Sequence, residues 1–233
     1  PDLIVVVAFR ILPKEVFDIP KLGSFNLHAS LLPEYRGAAP INWAIINGET
    51  ETGVTTFFLQ EKVDTGSVIL QARVRIGPDE TAGNLHDKLA EIGGEIVLQT
   101  VRLFELGNVQ LRPQDNSLAS PAPKIFKENC RIDWRKNAEQ VHNFVRGLSP
   151  SPCAWTVHGS TTLKIFRASL KEARVDVRAK QTGEIVEVDK RSLVVNTGSG
   201  TVGVLELQQE GKKRLGIEEF LRGNPMKVGD RFE

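Results

Sequence analysis

The stretch from Arg112 to Pro123, RPQDNSLASPAP, constrains this chain more than any other. Three prolines in twelve residues, with no hydrophobic period, exclude both a long helix and a regular strand there. It separates two textures. Before it, apolar runs alternate between a period of two and a period of 3.6, which predicts strands alternating with helices and an α/β fold class. After it, short runs in strand register follow one another with turn residues between them, the spacing of small sandwiches and barrels. Formal charge divides in the same way: residues 1–120 carry a net −5 and residues 121–233 a net +6, so the +1 of the whole 233-residue chain hides an acidic and a basic half. A basic half of this kind suits a polyanionic partner. The expected organisation is an α/β unit in 1–111, a linker in 112–123 and a small β unit in 124–233.

Within the first part, LIVVVA (residues 3–8) reads as a strand buried on both faces of a parallel sheet. Such a strand needs neighbours. With Pro1 in first place and Met226 as the only methionine, the chain is expected to be a piece of a longer polypeptide. Pro13–Asp18 predicts a short helix, SFNLHA a second strand, INWAIING a helix closed by Gly48, and GVTTFFLQ and SVILQARVRI two further strands. From Thr81 to Leu106, Leu85, Leu89, Ile92, Ile96, Val101 and Leu103 recur at helical spacing and predict one long amphipathic helix closed by Gly107.

Beyond the break, Asn137–Arg146 predicts a helix, and AWTV, TTLKIFRASL, GEIVEV, SLVVNT and TVGVLELQ predict five strands, a set that suits an OB-type barrel. Gly198, Gly200 and Gly203 spell G-x-G-x-x-G. Strand alternation continues after them, which predicts a hairpin turn and not a dinucleotide fingerprint. No window approaches the roughly 18 uncharged apolar residues of a membrane span. With Cys130 and Cys153 matching no metal or disulfide pattern, the expectation is a soluble, cytoplasmic protein without a metal.

Chemistry concentrates in the second strand. Asn26 and His28 are two positions apart, so both project from one face near the strand's C-terminal end, where open α/β sheets bind ligands. Asp64, in the tight Val-Asp-Thr-Gly turn after the next strand, is the third member expected to reach that histidine.

The run FNLHASLLPEYRGAAPINWAIINGETETGVTTF, followed by VDTGSVILQ, resembles the signature of the folate-dependent formyltransferase family, whose hallmark is Asn-x-His-x-Ser-Leu-Leu-Pro with a downstream Asp-x-Gly. The stretch from Tyr35 to Ile41 and the APKIFKENCRIDW segment are most similar to the branch that acts on charged initiator tRNA. The resemblance implies a Rossmann-like formyltransferase domain, N-terminally truncated here, followed by a small OB-like β-barrel domain that contacts tRNA. The activity implied is transfer of a formyl group from 10-formyltetrahydrofolate to the amine of methionyl-initiator tRNA, by a monomer. Asn26, His28 and Asp64 are then the catalytic set. Phe9, Arg10, Ile11, Leu12 and the segment Ser30, Leu31, Leu32, Pro33 are the folate-binding set. Arg36, Lys124, Lys127, Arg131, Lys164, Arg167, Lys212, Lys213 and Arg214 are the candidates for tRNA phosphate. Two other readings are open at this point: formylation of a UDP-aminosugar, and a non-catalytic nucleic-acid-binding remnant.

Overall fold

The computed structural model describes residues 1–7, 12–177 and 179–233. Two compact units divide it. The first holds residues 1–44, 49–78 and 84–124, and the second residues 45–48, 79–83 and 125–233.

In the first unit four strands form one sheet: β1 (Ile4–Val7), β2 (Ser24–His28), β4 (Glu51–Phe58) and β5 (Val68–Arg75), in the order β1-β2-β4-β5. β1 and β2 are parallel, while β2–β4 and β4–β5 are antiparallel, so the sheet is mixed. β1 pairs with β2 alone among the described residues, and Val5 and Val7 are exposed at that edge.

Helix α1 (Lys14–Phe17) follows β1, and α2 (Pro40–Ile46) precedes β4. The long α3 (Ala82–Glu105) buries Leu85, Leu89 and Ile96. Phe104 near its end stacks on Phe25 of β2 at 5.8 Å and meets Phe58 of β4 edge-on at 5.5 Å. Thr100 Oγ1 lies 2.9 Å from Thr56 Oγ1, so this buried polar pair is satisfied. The proline-rich stretch is ordered against the first unit. Its residues Pro121–Ala122 form β6, parallel to β3 (Arg36–Gly37), and Ser120 O accepts from Arg36 N at 2.9 Å. With its prolines unable to donate, the stretch pairs through a two-residue ladder and an isolated bridge at Arg112.

The second unit carries α4 (Ala138–Leu148), whose N-cap Asn137 accepts from Gln140 N at 2.8 Å while Gln140 Oε1 accepts from Asn137 N at 3.2 Å. Its sheet runs β7 (Ala154–His158), β8 (Thr161–Leu170), β11 (Thr201–Gln209), β10 (Leu193–Asn196), β9 (Ile185–Val188), with β12 (Arg214–Gly216) on β11. Residues 198–200 make the turn between β10 and β11. β12 and the following α5 (Ile217–Gly223) have no counterpart in the sequence expectation. No ladder joins β7 to β9, so the strands do not close into a barrel among the described residues. Instead the last residues span the two edges: Glu233 exchanges two hydrogen bonds with Val157, and Phe232 N donates to Gly183 O at 2.8 Å. Both cysteines are free and buried, and burial pushes the Cys153 thiol up to about 12.

Candidate active site

Strand alternation positions the first two side chains. Phe25 and Leu27 of β2 face α3, where a Cβ at Gly93 would come within 2.7 Å of the Leu27 side chain. Asn26 and His28 therefore project from the other face, at the strand's C-terminal end. A cavity of about 660 Å³ opens there, and Asn26, His28 and Asp64 all line it. Its other walls are largely apolar: Val6, Leu12, Phe17, Val54, Phe57 and Leu89 among them. The size falls within the roughly 300–1,000 Å³ of small-molecule sites.

His28 is buried, and its Nε2 lies 2.9 Å from Tyr35 O. A carbonyl only accepts, so in the neutral ring Nε2 carries the hydrogen and Nδ1 carries the lone pair. That Nδ1 faces Asp64 Oδ2 at 3.8 Å, too long for a direct hydrogen bond and close enough for the carboxylate to stabilise a charge on the ring. The same Oδ2 accepts from Gly37 N at 2.9 Å. Tyr35 (φ 58°), Gly37 (φ 128°) and Asp64 (φ 54°) all take left-handed backbone to make these contacts. Gly37 has no alternative: a Cβ there would sit 2.5 Å from Ala122 O. Among the described residues, Asn26 Oδ1 is the one buried side-chain oxygen or nitrogen without a hydrogen-bond partner. An unpaired buried group costs about 1–3 kcal/mol.

Leu12 lines the cavity, while Phe9, Arg10 and Ile11 lie outside the described residues. None of Ser30, Leu31, Leu32 and Pro33 lines it. Ser30 Oγ donates to Glu34 O at 2.6 Å, Leu32 N donates to Thr55 Oγ1 at 3.1 Å, and Gln71 Nε2 donates to Leu32 O at 2.9 Å. These contacts shape the loop that carries Tyr35 and Gly37.

Among the basic candidates, Arg36 is held by Gln114 and Asn116, and Arg214 makes two 2.6 Å bonds to Glu206 and lies 4.2 Å above the Phe166 ring. Arg131 stands 5.6 Å from the centre of the Trp155 ring. Lys124, Lys127, Arg167, Lys212 and Lys213 are exposed, and Lys164 is half-buried.

Sequence reasoning gave no role to four polar residues of the wall: Asn42, Gln60, Glu61 and His86. His86 shares a helical face with Leu89 and Ala90, and that i, i+3, i+4 spacing was the available signal. At the rim, a hydrogen bond from Lys14 to Glu61, 2.8 Å long, holds the Glu61 carboxyl below the ordinary carboxylate range.

Comparison with known proteins decides the family. The formyl transferase model matches residues 1–101, and the formyl transferase C-terminal domain model matches residues 124–225. The methionyl-tRNA formyltransferase of Chlorobium limicola is 52% identical over 225 residues, covering 96% of this chain and 70% of that protein. The chain belongs to the formyl transferase family. A second relative, the methionyl-tRNA formyltransferase of Chlorobium chlorochromatii, is 50% identical over 223 residues, 96% of this chain and 71% of its own length. Likeness of fold alone extends to HypX from Aquifex aeolicus, solved in complex with tetrahydrofolic acid, at a TM-score of 0.72 and 23% identity. That match covers all of this chain and 42% of HypX. Formyl transferase membership accounts for an α/β unit followed by a β-rich one. Among the described residues no helix is long and apolar enough to cross a membrane, and no three His, Cys, Asp or Glu side chains are grouped to hold a metal ion.

Proposed function

We propose that the protein transfers the formyl group of 10-formyltetrahydrofolate to the amine of methionyl-initiator tRNA, giving formylmethionyl-tRNA for translation initiation in the cytoplasm. The relatives at about 50% identity are named methionyl-tRNA formyltransferase, which supports the acceptor and the group transferred. The observation that carries the chemical reading is the joint placement of Asn26, His28 and Asp64 on one apolar cavity wall, with an acceptor left unpaired on Asn26.

Formyl-folate supplies a formyl carbon already activated toward an amine. The side chains must then stabilise charge on the formyl oxygen and move one proton. In this reading the Asn26 carboxamide works at both ends: Nδ2 donates to the oxygen as charge develops on it, and Oδ1 accepts from the incoming amine. One such donor is worth about 3 kcal/mol in the transition state. His28 Nδ1 takes the proton that the amine loses, because Tyr35 O fixes the hydrogen on Nε2. Asp64 stabilises the imidazolium, and His28 returns the proton to the departing folate nitrogen. Leu12, together with Phe9, Arg10 and Ile11, is assigned to the folate, while Ser30, Leu31, Leu32 and Pro33 act by shaping the loop that carries Tyr35 and Gly37.

We assign the catalytic part to residues 1–111 and tRNA binding to residues 124–233, joined by 112–123, with an OB-like character for the second unit. The C-terminal bridge between its two sheet edges favours that reading. Arg36, Lys124, Lys127, Arg131, Lys164, Arg167, Lys212 and Lys213 are assigned to tRNA phosphate, and Arg214 to holding β11 and β12 together. The test is a formylation assay of the full-length protein on charged initiator tRNA and on a UDP-aminosugar in parallel. Formylation of the tRNA alone is expected; formylation of the sugar alone would overturn the reading. Affinity for the tRNA should also fall steeply with added salt.

A further inference from the structure

We propose that Gln114 is a positioning residue for the reaction, holding the backbone turn from which Asp64 faces His28. The inference rests on the role given to Asp64 above. Gln114 lies in the proline-rich strap, fifty residues from Asp64 in sequence, and is half-buried beside it. Its Nε2 donates to Asp64 O at 3.0 Å and to Gly66 O at 2.7 Å. Its Oε1 accepts from Arg36 Nε at 3.1 Å and Nη2 at 2.6 Å. The orientation of the amide is not interchangeable, since a guanidinium only donates and the two carbonyls only accept. One carboxamide thus ties the Arg36–Gly37 strand to the Asp64 turn.

The turn needs such a tie. Asp64 is a non-glycine residue in left-handed backbone, a conformation that persists where its surroundings impose it. Three contacts impose it here. Gly37 N holds the carboxylate, Gln114 holds the Asp64 carbonyl and Gln114 also holds the Gly66 carbonyl. Gly66 packs so closely that a Cβ would lie 1.6 Å from Phe58 O, so the far side of the turn cannot give way. Removing the amide frees the Asp64 peptide to rotate, which carries Oδ2 away from Gly37 N and His28 Nδ1. Gln114→Glu is the sharper change: it keeps an acceptor for Arg36 and turns an oxygen onto two carbonyls.

The experiment uses the full-length protein and two readouts. Steady-state formylation of methionyl-tRNA is measured for Gln114→Glu and Gln114→Ala, with Ser117→Ala as a control that disturbs the strap away from the turn. Both Gln114 variants should lose about tenfold or more in kcat with KM for folate within about threefold, while the control stays near wild type. Hydrogen exchange at the Gly37 amide, which tracks its bond to Asp64, should quicken in both Gln114 variants and not in the control. Unchanged exchange at Gly37 in the Gln114 variants overturns the proposal whatever happens to kcat. Equal losses in Ser117→Ala also overturn it, since the strap as a whole would then be responsible. If the wild-type protein does not formylate methionyl-tRNA, the functional reading fails and the exchange arm still decides whether Gln114 positions Asp64. Gln114→Ala supplies the answer if Gln114→Glu does not fold.

Discussion

In the second unit Leu163, Ile165, Ile185, Leu193, Val195, Val202, Val204 and Leu207 are at most 1% exposed, and apart from one bulge after Val204 they sit at alternate positions of their strands. Around the cavity of the first unit Asn26 and His28 come from a strand, but the groups that hold them in place come from segments with no period at all. The loop 30–39, the turn at Asp64 and the strap 112–123 are joined by hydrogen bonds across tens of residues. One region is held by area removed from water, the other by geometry. Area responds to substitution in proportion to the volume lost, whereas a tie that fixes one atom's position is present or absent.

The contrast can be broken from either side. Ile165→Ala should cost about 2–5 kcal/mol of stability, read as a shift in the urea midpoint, while kcat per folded molecule stays at the wild-type value. Gly37→Ala should do the reverse. Its Cβ meets Ala122 O, the Gly37 N–Asp64 bond is lost, and kcat should fall by about 10²-fold with a smaller loss of stability than Ile165→Ala shows. Asn137→Ala removes a capping box in the second unit and should cost about 1 kcal/mol without touching turnover.

The smallest effect concerns pH. Burial, reinforced by Arg146, lowers the pKa of His142, with Asp79 opposing, so the folded state favours the neutral ring more than the unfolded chain does. The stability this contributes is complete above the unfolded value near about 6.5 and is lost as pH falls through the folded value. The thermal midpoint should therefore decline on acidification below neutrality, and less so in His142→Gln.

The same contrast explains what could be read from the chain itself. Strands and helices with a strong period, such as α3 and β8, stand where the hydrophobic pattern puts them. Asn26 and His28 were legible because a period of two places both on one face. What was not legible is contact between segments far apart in sequence. Nothing local in RPQDNSLASPAP indicates that Gln114 would reach Asp64, or that Ser30–Pro33 would turn into the fold and leave the cavity wall to Asn42, Gln60 and His86. The β-branched run LIVVVA was likewise legible as a strand, and β1 (Ile4–Val7) pairs in parallel with β2.

His28 Nδ1 is the atom assigned to take the amine proton, with Tyr35 O and Asp64 fixing its state. The direct test is single-turnover formylation of methionyl-tRNA by full-length protein carrying His28→Ala, alongside tRNA binding. The account predicts a loss of about 10²–10⁴-fold in the chemical step with tRNA affinity within about twofold of wild type. A His28→Ala protein that binds tRNA normally and transfers the formyl group at the wild-type rate would contradict it.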